Sequence, residues 1–68
     1  MNYQDAYKIE ELVDKYGLQA VLSELSALCD AKANHVRSSY SDKELEASWR
    51  KASNKIEECA NHCEVADL

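Results

Sequence analysis

The stretch SSYSDKE, residues 38–44, separates two long runs of helix-favouring sequence. The serines in residues 38–41 compete with a helix for backbone hydrogen bonds, so they predict a short break. Ser41 followed three residues later by Glu44 is a capping box, in which each side chain bonds the backbone N–H of the other residue. Because the break is short, the two flanking helices must turn back on each other. The stretch therefore predicts an antiparallel helical hairpin.

The helix after the break is expected over about residues 42–63. Its apolar residues recur at intervals of four, three, four, three and four, a heptad pattern typical of a helix that packs at a shallow angle against another. They are Leu45, Trp49, Ala52, Ile56, Cys59 and Cys63. Antiparallel pairing across the break then places Val36 near Leu45, Cys29 near Ala52 and Leu22 near Cys59.

The helix before the break is expected over residues 18–38, with one broad apolar stripe. A shorter helix is expected over residues 3–16, capped by Asn2 and ended by Gly17, since glycine most readily leaves a helix with positive φ. The 68 residues contain no proline and one glycine, which is the composition of a nearly all-helical chain. We predict one all-α domain, residues 1–68: a short N-terminal helix followed by a long antiparallel hairpin.

The formal net charge of −5 argues against a nucleic-acid-binding protein, whose footprint would be a basic patch. The charge is unevenly distributed, however. Residues 1–30 carry six acids and two bases, residues 31–55 carry six bases and three acids, and residues 56–68 carry four acids and no base. The hairpin tip is therefore basic and both ends of the chain are acidic.

Cys59, His62 and Cys63 crowd into one short stretch and are the candidate metal ligands. Zinc sites of this type need four ligands, and no fourth cysteine or histidine has suitable spacing. Cys59 and Cys63 also fall on heptad positions, where a free cysteine packs as a small apolar residue. The packing interpretation is favoured over a metal-binding or redox role, so neither a metal nor another cofactor is expected.

The N-terminal segment MNYQDAYK has neither the basic nor the apolar region of a signal peptide, and no apolar run is long enough to span a membrane. An odd number of cysteines also fits poorly with a disulfide framework. These features favour a cytoplasmic protein with reduced cysteines and no membrane association.

A domain this small has a weak core unless a partner reinforces it. The first helix is too short to cover the whole stripe of the second, which leaves apolar surface for a partner near Leu25, Leu28, Cys29 and Val36. We therefore predict a non-enzymatic protein–protein interaction module that binds a second copy of itself, another protein, or both. In the predicted homodimer, two hairpins pack antiparallel into a four-helix bundle so that basic tips meet acidic ends.

The alternative prediction is a nucleic-acid-associated regulator that uses the basic hairpin tip. In that case the contacts to phosphates and bases would come from Arg37, Tyr40, Lys43, Arg50 and Lys51.

Overall fold

The computed structural model describes residues 1–64 and contains three α-helices over that range, with no β-strand. The helices are α1 (Tyr3–Tyr16), α2 (Leu18–Ser39) and α3 (Lys43–Asn61). Helices α2 and α3 pack along their lengths as an antiparallel hairpin, and α1 packs against α2 but not against α3. The all-helical class and the three predicted elements are confirmed, with ends that differ from the prediction by no more than two residues.

Helix α1 has the predicted ends. The Asn2 side chain accepts a hydrogen bond from the Asp5 N–H at 2.8 Å, which satisfies one of the free donors of the first turn. The Gly17 N–H donates to the Val13 carbonyl at 2.7 Å, and Gly17 has a φ of 90°. That conformation is costly for any other residue, and it lets α2 begin directly after α1 in a different direction.

The turn between α2 and α3 corrects one detail of the prediction. The N-cap of α3 is Asp42, whose carboxylate accepts from the Leu45 N–H at 3.0 Å. Ser41 has a φ of 51°, whereas a residue at the N-cap has an extended backbone, so Ser41 cannot take that position. The predicted capping box between Ser41 and Glu44 is therefore wrong, and the helix begins one residue later than expected, at Lys43.

The hairpin interface is built from small side chains. Its buried residues are Ser26, Cys29, Ala33 and Val36 from α2, and Ser53 and Ala60 from α3. Small residues let two helix axes approach closely, because little side-chain volume separates the backbones. Trp49 and Ile56 are only half-buried beside this line of contact.

The face that α3 packs against α2 is rotated by about one residue from the predicted heptad. Leu45 and Cys59 were expected in the interface but are exposed, and Ser53 and Ala60 are buried instead. Contacts between Ser26 and Ser53 and between Gln19 and Ala60 fix the register of the two helices. This register lies within two residues of the predicted pairing.

Ser26 and Ser53 form a reciprocal contact at the middle of the hairpin. The Ser53 hydroxyl donates to the Ser26 carbonyl at 2.9 Å, and the Ser26 hydroxyl donates to the Ser53 carbonyl at 3.1 Å. The two Oγ atoms are also 3.0 Å apart. Each hydroxyl has one proton, so the two bonds to carbonyls satisfy both donors. The pair holds α2 and α3 in one register without leaving a buried polar group unpaired.

We expect Ser53→Ala to lower the free energy of unfolding by about 1–2 kcal/mol, because it removes one buried hydrogen bond and leaves the Ser26 hydroxyl with a single partner. Urea denaturation followed by circular dichroism measures this loss. The matched control is Ser48→Ala on the same helix, since the exposed Ser48 hydroxyl bonds only the Glu44 carbonyl of its own helix. Equal effects of the two substitutions would contradict a special role for the Ser26–Ser53 pair.

Candidate interaction surface

One edge of the hairpin is polar and is closed by side chains that bridge α2 and α3. The Arg50 guanidinium lies 3.7 Å from the Asp30 carboxylate and donates to the Asn34 side-chain oxygen at 2.8 Å. Further along the same edge, the Gln19 amide donates to the Ala60 carbonyl at 3.0 Å. These contacts pair the polar groups of this edge with partners in the same chain.

The opposite edge of the hairpin is apolar. Helical geometry places it on the side away from Asp30 and Arg50, because residues about half a turn apart lie on opposite sides of a helix. We define the apolar edge as Val21, Leu25 and Leu28 of α2 together with Leu45, Trp49 and Ile56 of α3. Leu25, Leu28 and Leu45 are 42%, 52% and 43% exposed, and the other three are half-buried.

A groove lies between α1 and α2 beside this edge. It has a volume of about 570 Å³, and its walls are Leu12 and Tyr16 from α1 and Ala20, Val21, Glu24, Leu25 and Leu28 from α2. Glu24 contributes the one carboxylate to an otherwise aliphatic and aromatic lining. The groove is therefore suited to the side of another helix or to an apolar segment.

Helix α1 forms one wall of the groove and leaves much of its own surface uncovered. Ile9, Leu12 and Tyr16 are 43%, 48% and 57% exposed, and α1 contains no buried residue. Tyr3 and Tyr7 lie on another side of the helix, along a shallow hollow shared with Lys8. The chain thus presents apolar surface on all three helices.

The predicted partner-binding residues divide into two pairs. Leu25 and Leu28 lie on the apolar edge and in the groove. Cys29 and Val36 are 6% and 5% exposed, because they face α3 in the hairpin interface. The expectation that Cys29 and Val36 are left over for a partner is therefore corrected.

Of the residues in the alternative, nucleic-acid-binding prediction, Arg50 is bound within the chain, whereas Arg37, Lys43 and Lys51 are exposed. Arg50 is held by Asp30, by Asn34 and by the Glu46 carboxylate at 3.4 Å. Arg37 lies in the last turn of α2 and Lys43 begins α3, while Lys51 is exposed on α3. The Tyr40 ring is exposed and meets the His35 ring edge-on, with centroids 5.9 Å apart.

The candidate metal ligands do not converge. Cys59 is exposed on α3, His62 follows the last turn of that helix, and Cys63 is half-buried. Within residues 1–64, no three His, Cys, Asp or Glu side chains are grouped closely enough to hold a metal ion. Nor does any helix in this part of the chain have the length and apolar character that crossing a membrane requires.

Sequence reasoning did not identify Glu24 and the α1 wall as parts of the surface. The available signal was the spacing of Val21, Leu25 and Leu28, which places Glu24 directly beside them on α2. Leu12 and Tyr16 are apolar residues of α1 at helical spacing, but the sequence does not fix the angle between α1 and α2 at Gly17.

Comparison of the chain with protein-family models, with curated proteins and with solved structures found no significant match.

Proposed function

We propose that this protein is a small non-enzymatic interaction module that self-associates through the apolar edge and the adjoining groove. The observation that carries the proposal is the exposed leucine surface of α2, with Leu25 and Leu28 beside an apolar groove. Clustered apolar side chains of this kind mark sites of protein association.

The shape of the chain supports the proposal that a partner chain adds a second layer of helices. Its extents are 40 × 28 × 14 Å, so it is much thinner in one direction than in the other two. Its radius of gyration is 13.8 Å, whereas a compact domain of this length has a value of about 11 Å. Stable domains bury apolar surface between at least two layers, and this chain has a single layer of helices.

The accessible surface supports the same interpretation. The chain exposes 5549 Å². A folded monomer of its mass, 7.7 kDa, exposes about 4,300 Å². The excess is larger than the roughly 800 Å² that each partner contributes to a standard protein–protein interface. A second copy offers the same apolar surface and covers it in both chains at once.

The proposal includes a reducing, cytoplasmic environment, which is supported by three cysteines that are all free thiols. It includes no catalytic role, since the groove presents aliphatic and tyrosine side chains and a single carboxylate. The bridging contacts of Arg50 weigh against the alternative in which the hairpin tip binds nucleic acid, because its guanidinium is already bound to oxygens of the same chain.

Size-exclusion chromatography with light scattering tests the proposal on the unmodified chain at micromolar concentration and moderate salt. We expect twice the mass of a single chain, falling towards 7.7 kDa only on dilution. A single-chain mass at every concentration would overturn self-association.

A further inference from the structure

We propose that two copies of α2 pack antiparallel about a two-fold axis between Leu25 and Leu28, and that Glu24 of each copy pairs with Lys32 of the partner subunit. This inference rests on the proposed self-association and adds its register and the residues that make it specific. It assigns a role to two exposed charged residues that form no ion pair within residues 1–64.

The spacing of residues on α2 supports this contact. Val21, Leu25, Leu28 and Lys32 are separated by four, three and four residues, the pattern of a contact line between two helices at a shallow angle. Val21 is half-buried, and the other three are exposed. This line runs beside the face that packs against α3, so it stays accessible when the hairpin forms.

Charge complementarity supports the same contact. In an antiparallel two-fold contact, a residue on one side of the axis lies opposite the partner residue that is equally far along the sequence on the other side of it. With the axis between Leu25 and Leu28, Lys32 of the partner subunit lies opposite Val21. Glu24 is one helical turn from Val21 on the same face, within reach of a lysine side chain. The pairing occurs twice in the dimer.

Both charged side chains are available for this contact. The ion pairs formed by residues 1–64 involve Arg50 with Asp30, Arg50 with Glu46, and Lys55 with Glu58. Glu24 and Lys32 take part in none of them. A lysine on an apolar contact line is unfavourable unless its ammonium group reaches water or a carboxylate. A Glu24 carboxylate from a second copy supplies such a partner.

The antiparallel arrangement also follows from these charges. A parallel contact in register would bring Glu24 against Glu24 and Lys32 against Lys32, and like charges at an interface disfavour an arrangement. The antiparallel contact replaces both repulsions by attraction. It also places the basic end of one α2 beside the groove of the other copy, where Glu24 is the carboxylate of the lining.

Charge-reversal variants of the full chain test the inference. Glu24→Lys and Lys32→Glu each turn two attractive contacts into two repulsive ones, so each variant alone should have a dimer dissociation constant raised about tenfold or more. Mixed together, the two variants restore opposite charges at both contacts. We expect a heterodimer, which ion-exchange chromatography separates from either homodimer because the variants differ in net charge.

The control pair is Lys51→Glu and Glu57→Lys, which make the same changes of charge at exposed positions of α3 away from the apolar edge. These variants should dimerise alone and show no preference for each other. If the unmodified chain is dimeric but the Glu24 and Lys32 variants dimerise alone as tightly and mix at random, this register is wrong while self-association stands. A monomeric unmodified chain would overturn both proposals.

Discussion

Ala33→Leu is expected to lower the free energy of unfolding by about 2–3 kcal/mol, the upper part of the range for inserting methylene groups into a packed interior. Ala33 is 0% exposed at the centre of the α2–α3 interface. The added isopropyl group has no free volume there, so it must separate the two helices. Separation would also stretch the Ser26–Ser53 hydrogen bonds, whose oxygen–oxygen distances are already 2.9–3.1 Å.

Urea denaturation followed by circular dichroism measures this loss. The matched control is Ala27→Leu on the same helix, because Ala27 is exposed on the side of α2 away from both α3 and the apolar edge. Alanine and leucine both favour helices, so the control should change stability by only a few tenths of a kcal/mol. A loss at Ala27 as large as that at Ala33 would show that the helix itself, and not close packing, is sensitive to the change.

The helices could be predicted from the sequence because their end signals are local. Asn2 and Gly17 act within one turn of the chain, and the break before α3 needs only the few residues of its own turn. The choice between Ser41 and Asp42 as N-cap could not be predicted, since both are good capping residues and only the backbone angle at Ser41 decides between them.

The packing face of α3 was predicted less accurately because hydrophobicity was used to locate it. That criterion selects Leu45 and Cys59 and passes over Ser53, which is polar. In the fold, close approach of the helices favours small residues, and the hydrogen bonds between Ser26 and Ser53 remove the cost of burying two hydroxyls. Leu45 is displaced to the apolar edge as a consequence.

The position of each residue around α2 explains which of the predicted partner-binding residues remain accessible. Leu25 and Leu28 lie too far around α2 to face α3, so they remain accessible. Cys29 and Val36 were placed on the same broad stripe, but the stripe is wide enough to serve two contacts. One side of it packs inside the hairpin, and the other side forms the apolar edge.

Leu28→Glu is expected to raise the dimer dissociation constant about a hundredfold or more while leaving the hairpin folded. Both copies of Leu28 lie next to the two-fold axis in the proposed contact, so one substitution removes two leucines from the interface. Completing the burial of two half-exposed leucines contributes about 3 kcal/mol, which corresponds to roughly a hundredfold in affinity.

The hairpin itself should tolerate Leu28→Glu, because Leu28 is 52% exposed and takes no part in the buried interface with α3. The new carboxylate would stand four residues from both Glu24 and Lys32, so its repulsive and attractive contacts within α2 largely offset each other.

Light scattering at several concentrations measures the association, and circular dichroism verifies the helix content. Ala27→Glu is the matched control, since it adds the same carboxylate at the neighbouring exposed position on another side of α2. The variant at Leu28 should have a single-chain mass under conditions in which the variant at Ala27 is dimeric. Equal masses for the two variants would place the interface elsewhere on the molecule.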